Sequence, residues 1–172
     1  MKKNKAERNA ILGVIGAFAA ILSYIEALIS FGIFIPGAKL GLANVAVVIV
    51  MYIYGYKDAF LVNIVRIVVV GLLFSNMFSI IFSVAGATIS YITMVILKKT
   101  DIFSPVGLSV AGGVAHNVGQ IIIAIFIINS YSVINYLPIL MLAGIICGFI
   151  IGIIALMVIK YLNIILRKRE MI

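Results

Sequence analysis

With 172 residues of which 65% are hydrophobic and 10% charged, and a mean hydropathy of +1.33, the chain is far from a water-soluble domain, where the apolar share is about 45–50% and the charged share about 25%. At about 20 residues per helical crossing it has room for six crossings in one integral membrane domain over 1–172, and for no separate soluble catalytic or nucleotide-binding domain. The net charge of +8 comes with no basic stripe interleaved with aromatics on a polar domain, which sets nucleic acid aside. A membrane β-barrel would alternate apolar and polar residues over segments of about 10, whereas 121–128 is apolar at every position. The expected fold class is therefore all-α: a polytopic bundle of six transmembrane helices.

The N-terminal Met1-Lys2-Lys3-Asn4-Lys5 is similar to the basic start of a signal peptide. The apolar run behind it is much longer than the usual 7 to 15 residues, and no small-x-small cleavage site closes it, so it is read as an uncleaved first span. The predicted spans are 10–31, 40–54, 59–74, 77–97, 106–128 and 137–162. The breaks between them carry helix-end chemistry: Pro36-Gly37, Gly55 with Lys57-Asp58, Ser75-Asn76, Lys98 to Asp101, and Asn129 to Asn135. Ser104-Pro105 and the Asn135 to Pro138 stretch each place a capping side chain before a proline in the first turn, where its missing N–H is harmless. The single cysteine, Cys147, excludes an intramolecular disulfide and a multi-cysteine metal cluster, and reads as a small packing residue.

Orientation follows from the thirteen basic residues. A cytoplasmic N-terminus puts Lys2, Lys3, Lys5, Arg8, Lys57, Lys98, Lys99, Lys160, Arg167, Lys168 and Arg169 inside, Lys39 outside and Arg66 within the membrane. That bias satisfies the positive-inside rule with an even number of spans and both termini in the cytoplasm.

Polar residues left inside the bilayer are then the candidates for function, because a charge there costs at least about 2.5 kcal/mol. Arg66 lies near the middle of the third span, with Asn63 one turn earlier on the same side. Either it binds a ligand anion, or it pairs with Glu26 or helix-end carbonyls and holds helices together. Glu26 falls in the outer third of the first span, near the depth of Asn44, where a Glu26–Lys39 ion pair competes with direct ligand contact. In the fifth span His116, Gly119 and Gln120 share one helix face, while Asn117 is turned about 100° away. Gly112 and Gly113, one turn inward, permit close approach of a backbone or ligand. The candidate binding residues are thus Glu26, Lys39, Asn44, Asn63, Arg66, His116, Asn117 and Gln120.

One histidine, one cysteine and five acids form no metal-ligand set of recognisable spacing. There is no Gly-rich phosphate loop with its lysine, no His-Glu-x-x-His, and no Asp-Asp-x-x-Asp pair to hold Mg²⁺ against a diphosphate. No catalytic residue, metal or cofactor is expected, and no prenyl or phosphoryl transfer by this chain unaided. Small residues recur every four positions at Gly144, Gly148 and Gly152, and at Gly13/Ala17 and Gly16/Ala20. This is the spacing for close helix contact, within the chain or with a partner membrane subunit.

Pro36-Gly37-Ala38-Lys39-Leu40-Gly41-Leu42-Ala43-Asn44, Arg66 with Leu72-Leu73-Phe74, Phe103 to Ser109 leading to Ala115-His116-Asn117-Val118-Gly119-Gln120, and Tyr136-Leu137-Pro138 together resemble the bacterial membrane family named heptaprenyl diphosphate synthase component I, also called the Gx transporter family. The resemblance spans nearly the whole chain; Ser75 departs from the glycine usual after Leu-Leu-Phe. The family's six-helix pattern is similar to that of S components of energy-coupling factor (ECF) vitamin transporters. That likeness implies a substrate-binding and translocation subunit for a small anionic or amphipathic solute, in the bacterial cell membrane. Gly13, Gly16, Ala17 and Ala20 would then contact a membrane coupling subunit driven by ATPases. The family name instead implies an accessory membrane subunit of a synthase for quinone side chains, its chemistry in a soluble partner. A third reading is a membrane component of a flavin-linked electron-transfer system.

Overall fold

A computed structural model describes residues 5–29, 41–74 and 77–170. Within them lie six α-helices: α1 Lys5–Ile29, α2 Asn44–Ile53, α3 Tyr56–Phe74, α4 Met77–Lys99, α5 Pro105–Ile128 and α6 Leu137–Glu170. Lys39, the Pro36-Gly37 turn and Ser75-Asn76 lie outside the described residues.

The polarity of the bundle is inverted relative to a water-soluble protein. Asn63, Arg66, Ser90, Ser109, His116, Asn117 and Gln120 are buried, while Phe18, Leu72, Met77, Phe126, Ile146 and Met157 are more than half exposed. An apolar exterior on this scale needs an apolar solvent, and the bilayer supplies it. Four stretches among the described residues are long and apolar enough to cross: Arg8–Glu26, Ile80–Lys99, Pro105–Ile128 and Tyr131–Ile164. α3 is long but carries Lys57, Asp58 and Arg66.

α2 departs from the predicted 40–54 span. Its ten residues rise only about 15 Å, half the hydrocarbon thickness. Gly41 takes a left-handed φ of +74°, and the Asn44 N–H donates to its carbonyl at 2.7 Å, so the chain turns before the helix begins. Residues 44–51 are buried on every face, which an all-apolar helix tolerates only inside a bundle. Gly55, at φ +97°, closes α2 and starts α3 almost at once.

Around α2 stand α1, α3, α5 and α6. α5 packs most extensively against α6 and α4, α1 packs along α3, and α2 touches α1, α3, α5 and α6. Arg8 early in α1 grips Asp58 early in α3, with Nη2 at 2.7 and 2.6 Å from the two carboxylate oxygens and Nε at 3.1 Å from Oδ2. Later in both helices Arg66 reaches Ser23, so α1 and α3 run parallel. At the end marked by Arg8 and Asp58, the Tyr91 hydroxyl donates to the Tyr56 carbonyl at 2.7 Å and the Tyr52 hydroxyl to the Phe103 carbonyl at 2.8 Å. Lys98 lies over the Tyr52 ring and pairs with Asp101 at 2.9 Å. Charge and tyrosine gathered at one rim fit a membrane–water interface.

The Ser104–Pro105 start forms as its residues predict: Ser104 Oγ accepts from the Gly107 N–H at 3.3 Å, with proline in the first turn of α5. The Asn135 cap does not form. Tyr131–Tyr136 is a 3₁₀ helix begun by Ser130 that runs directly into α6, leaving Asn135 inside a helical turn. α6 continues past the predicted end at 162 to Glu170. A helix of 34 residues is about 51 Å long and must project beyond the bilayer.

The glycine ladder of α6 packs within the chain. A Cβ at Gly144 would lie 2.9 Å from the Gly113 carbonyl oxygen, one at Gly148 2.7 Å from Val110 Cα, and one at Gly152 2.6 Å from Val106 Cα. The backbones of α5 and α6 therefore touch along three turns, which glycine alone permits. On the opposite side of α5, Gly119 meets Ala85 and Gly86 of α4 in the same way, and Gly86 meets His116.

Candidate functional site

Two neighbouring polar clusters form inside the bundle, and the start of α2 joins them. In the first, Arg66, 8% exposed, extends from α3 toward α1. Its Nη2 donates to Asn63 Oδ1 at 2.6 Å and its Nη1 to Ser23 Oγ at 3.5 Å. Glu26 on α1 is the carboxylate whose charge acts on Arg66, and its Oε1 accepts the Gly41 N–H just ahead of α2. A carboxylate there also meets the positive end of the α2 dipole. Cation, carboxylate and helix end thus belong to one cluster, in which the hydrogen bonds of Arg66 go to Asn63 and Ser23 and Glu26 accepts from the Gly41 N–H. The Glu26–Lys39 pair cannot be placed, because Lys39 is outside the described residues.

The second cluster surrounds a narrow cleft with little free space. Gly41 and Asn44 from the start of α2, Ser109, Gly113 and His116 from α5, and Gly144, Gly148 and Ile151 from α6 line it. Since α2 ends at the charged rim and rises about 15 Å, its start and the cleft lie near mid-bilayer. The depth matters because a half-helix whose N-terminus stops at the midplane is a known way to bring backbone polarity to a membrane-buried ligand.

Asn44 and His116 of the predicted set therefore meet at the cleft, while Asn63, Arg66 and Glu26 meet beside it. Asn117 and Gln120 do not line it. Asn117 Nδ2 donates to the Leu140 carbonyl of α6 at 2.7 Å, a bond that ties α5 to the first turns of α6. Gln120 is 3% exposed. The turn of about 100° between adjacent helix positions separates these roles: His116 borders the cleft and also reaches Gly86 of α4, whereas Asn117 faces α6. On α1, Gly13 and Ala17 are exposed, Ala20 is half-buried and Gly16 is buried. A Cβ on either glycine would meet nothing within 4 Å, so these glycines serve no close helix contact among the described residues.

Ser109 is the site residue that the sequence reading omits. It is 3% exposed and its Oγ has no hydrogen-bond partner. Its signal was available: Ser109, Gly113 and His116 stand at i, i+4 and i+7, the spacing of one helix face. The Arg8–Asp58 pair, fifty residues apart in sequence, had no comparable local signal. Among the described residues no group of three or more His, Cys, Asp or Glu is placed to hold a metal ion.

The family model described as heptaprenyl diphosphate synthase component I matches residues 15–158. The matched stretch takes in Glu26, Arg66, both walls of the cleft and the glycine ladder. No curated protein and no solved structure matches the chain.

Proposed function

Because this chain belongs to the heptaprenyl diphosphate synthase component I family, we propose that it is the membrane-embedded accessory subunit of such a synthase, with prenyl transfer carried out by a partner chain. The family match over most of the chain carries this reading. The chemistry supports it: Mg²⁺-assisted handling of a diphosphate calls for clustered aspartates, and the two aspartates here, Asp58 and Asp101, are engaged with Arg8 and Lys98. The subunit sits in the bacterial cell membrane with both termini in the cytoplasm, where the rim of Arg8, Lys57, Lys98 and Lys99 faces a soluble partner. Its test is affinity purification of the full chain from native membranes. Retention of a soluble Asp-rich prenyl diphosphate synthase whose product length or rate changes on adding this subunit supports the proposal. An unaltered synthase that never co-purifies refutes it.

A second reading, a solute-binding subunit similar to ECF S components, draws on the mid-bilayer cleft and on the outward-facing Gly13 and Ala17 of α1. It requires retention of a membrane coupling subunit with its ATPases, and loss of that subunit in Ala17→Leu.

A further inference from the structure

The connection between α4 and α5, residues 100–104, is exposed throughout and held at every residue. The Thr100 and Asp101 N–H groups donate to the Leu97 and Lys98 carbonyls, each at 3.2 Å. The Thr100 hydroxyl donates to the Leu97 carbonyl at 2.7 Å and accepts the Ile102 N–H at 3.4 Å. Asp101, at a left-handed φ of +52°, pairs with Lys98, the Phe103 carbonyl accepts from Tyr52, and Ser104 caps α5. The Phe103 ring lies beside Gly107, and Ile102 is left 82% exposed. Lysines that close a membrane helix sit at headgroup level, and α4 ends in Lys98 and Lys99, so the connection has left the hydrocarbon. A lone isoleucine exposed on a loose loop carries no meaning. One held outward by a pinned backbone can be buried by a partner without the entropy loss of ordering a loop.

We infer that Ile102 is the apolar anchor through which this chain docks the soluble synthase subunit, seated in an apolar pocket whose margin carries carboxylates. The surroundings set that chemistry. Lys98 is matched by Asp101 and Arg8 by Asp58, whereas Lys57 at the start of α3 and Lys99 at the end of α4 stand exposed at the same rim. An apolar knob beside two ammonium groups has the make-up of an interface centre with its polar margin. It complements an apolar pocket ringed by aspartate or glutamate. The inference rests on the synthase partnership proposed above and names the surface that makes it.

The test purifies the full chain from native membranes and measures the retained synthase by mass spectrometry and prenyl transfer activity. The native protein is compared with Ile102→Ser, Ile102→Val and the double variant Lys57→Glu/Lys99→Glu. Ile102→Ser is expected to keep the native melting temperature while retaining roughly tenfold less synthase, the loss of one buried isoleucine; Ile102→Val should retain most of it. The charge reversal should lower retention as well, by a margin that narrows in salt. If Ile102→Ser retains as much synthase as the native chain, the anchor is overturned and the partnership stands; if the native chain retains none, both are overturned. A melting temperature lowered by Ile102→Ser would show a side chain packed within the chain, and overturns the anchor too. A second measurement needs no partner: a bimane on Ile102→Cys, in a Cys147→Ser background, is followed in phosphatidylethanolamine–phosphatidylglycerol vesicles. Iodide present on both sides should quench it more strongly than doxyl lipid does. Stronger quenching from the lipid would seat the connection in the membrane and overturn the inference.

Discussion

Adding one methyl group at Gly148 tests whether the glycine ladder is an internal seam. The Cβ of Gly148→Ala would lie 2.7 Å from Val110 Cα and 2.8 Å from the Ser109 carbonyl oxygen, against 3.4 Å where ordinary contact begins. Both neighbours are backbone atoms of α5, so no rotamer change relieves the overlap, and the two helices must part by roughly 0.7 Å at that turn. A gap of about 0.5–1 Å forfeits a quarter to a half of each dispersion contact it opens, and the Gly113–Gly144 and Val106–Gly152 contacts lie on the same seam. Overpacking of this kind destabilises by about 1–3 kcal/mol, offset by up to about 1 kcal/mol from alanine's better helix propensity. The expected net loss of about 1–2 kcal/mol lowers the melting temperature by roughly 2–8 °C in a chain of this size. Gly13→Ala is the matched control, since its Cβ meets nothing within 4 Å, and should leave the melting temperature unchanged or slightly raised. Unfolding in detergent can be followed by far-UV circular dichroism and by a thiol-reactive dye on Cys147, which is half-buried. A Gly148→Ala protein that melts at or above the native temperature, or a Gly13→Ala protein that falls as far, refutes the seam.

Three further outcomes are expected. Arg66→Gln should destabilise the protein by up to about 3 kcal/mol because it strands the Glu26 carboxylate, and Glu26→Gln added to it should restore much of the loss in a double-mutant cycle; strictly additive losses would show that the two charges do not compensate each other. Arg8→Lys should lower thermal stability nearly as far as Arg8→Ala, roughly 1 kcal/mol, because the ammonium cannot reproduce the forked contact to Asp58. Full rescue by lysine would mean that charge alone matters there. Tags at either terminus should be accessible only from the cytoplasm and a cysteine at Lys39 should react from outside; labelling of a terminus in intact cells would falsify the six-span orientation.

The membrane class, the helical architecture and the gathering of basic residues near particular helix ends are properties of hydropathy and charge along the chain, so the sequence alone determined them. The Ser104–Pro105 cap was equally legible, because a cap is a contact across three residues. What a one-dimensional pattern could not decide is which apolar residues continue a helix and which turn. Leu40 to Ala43 are as apolar as α2 itself, yet the left-handed Gly41 ends the turn at mid-bilayer and makes α2 a half-helix. The pairing of Arg8 with Asp58, of Arg66 with Ser23 and of Glu26 with Gly41 depends on α1 and α3 running side by side with α2 between them. Likewise, the small-residue spacing on α1 and on α6 is the same in sequence. Only the packing shows that the α6 ladder is filled by the α5 backbone while the glycines of α1 meet no neighbour among the described residues. Spacing fixes which residues share a helix face, and the tertiary structure decides what that face meets, because the contact energy belongs to two surfaces and only one of them is written locally.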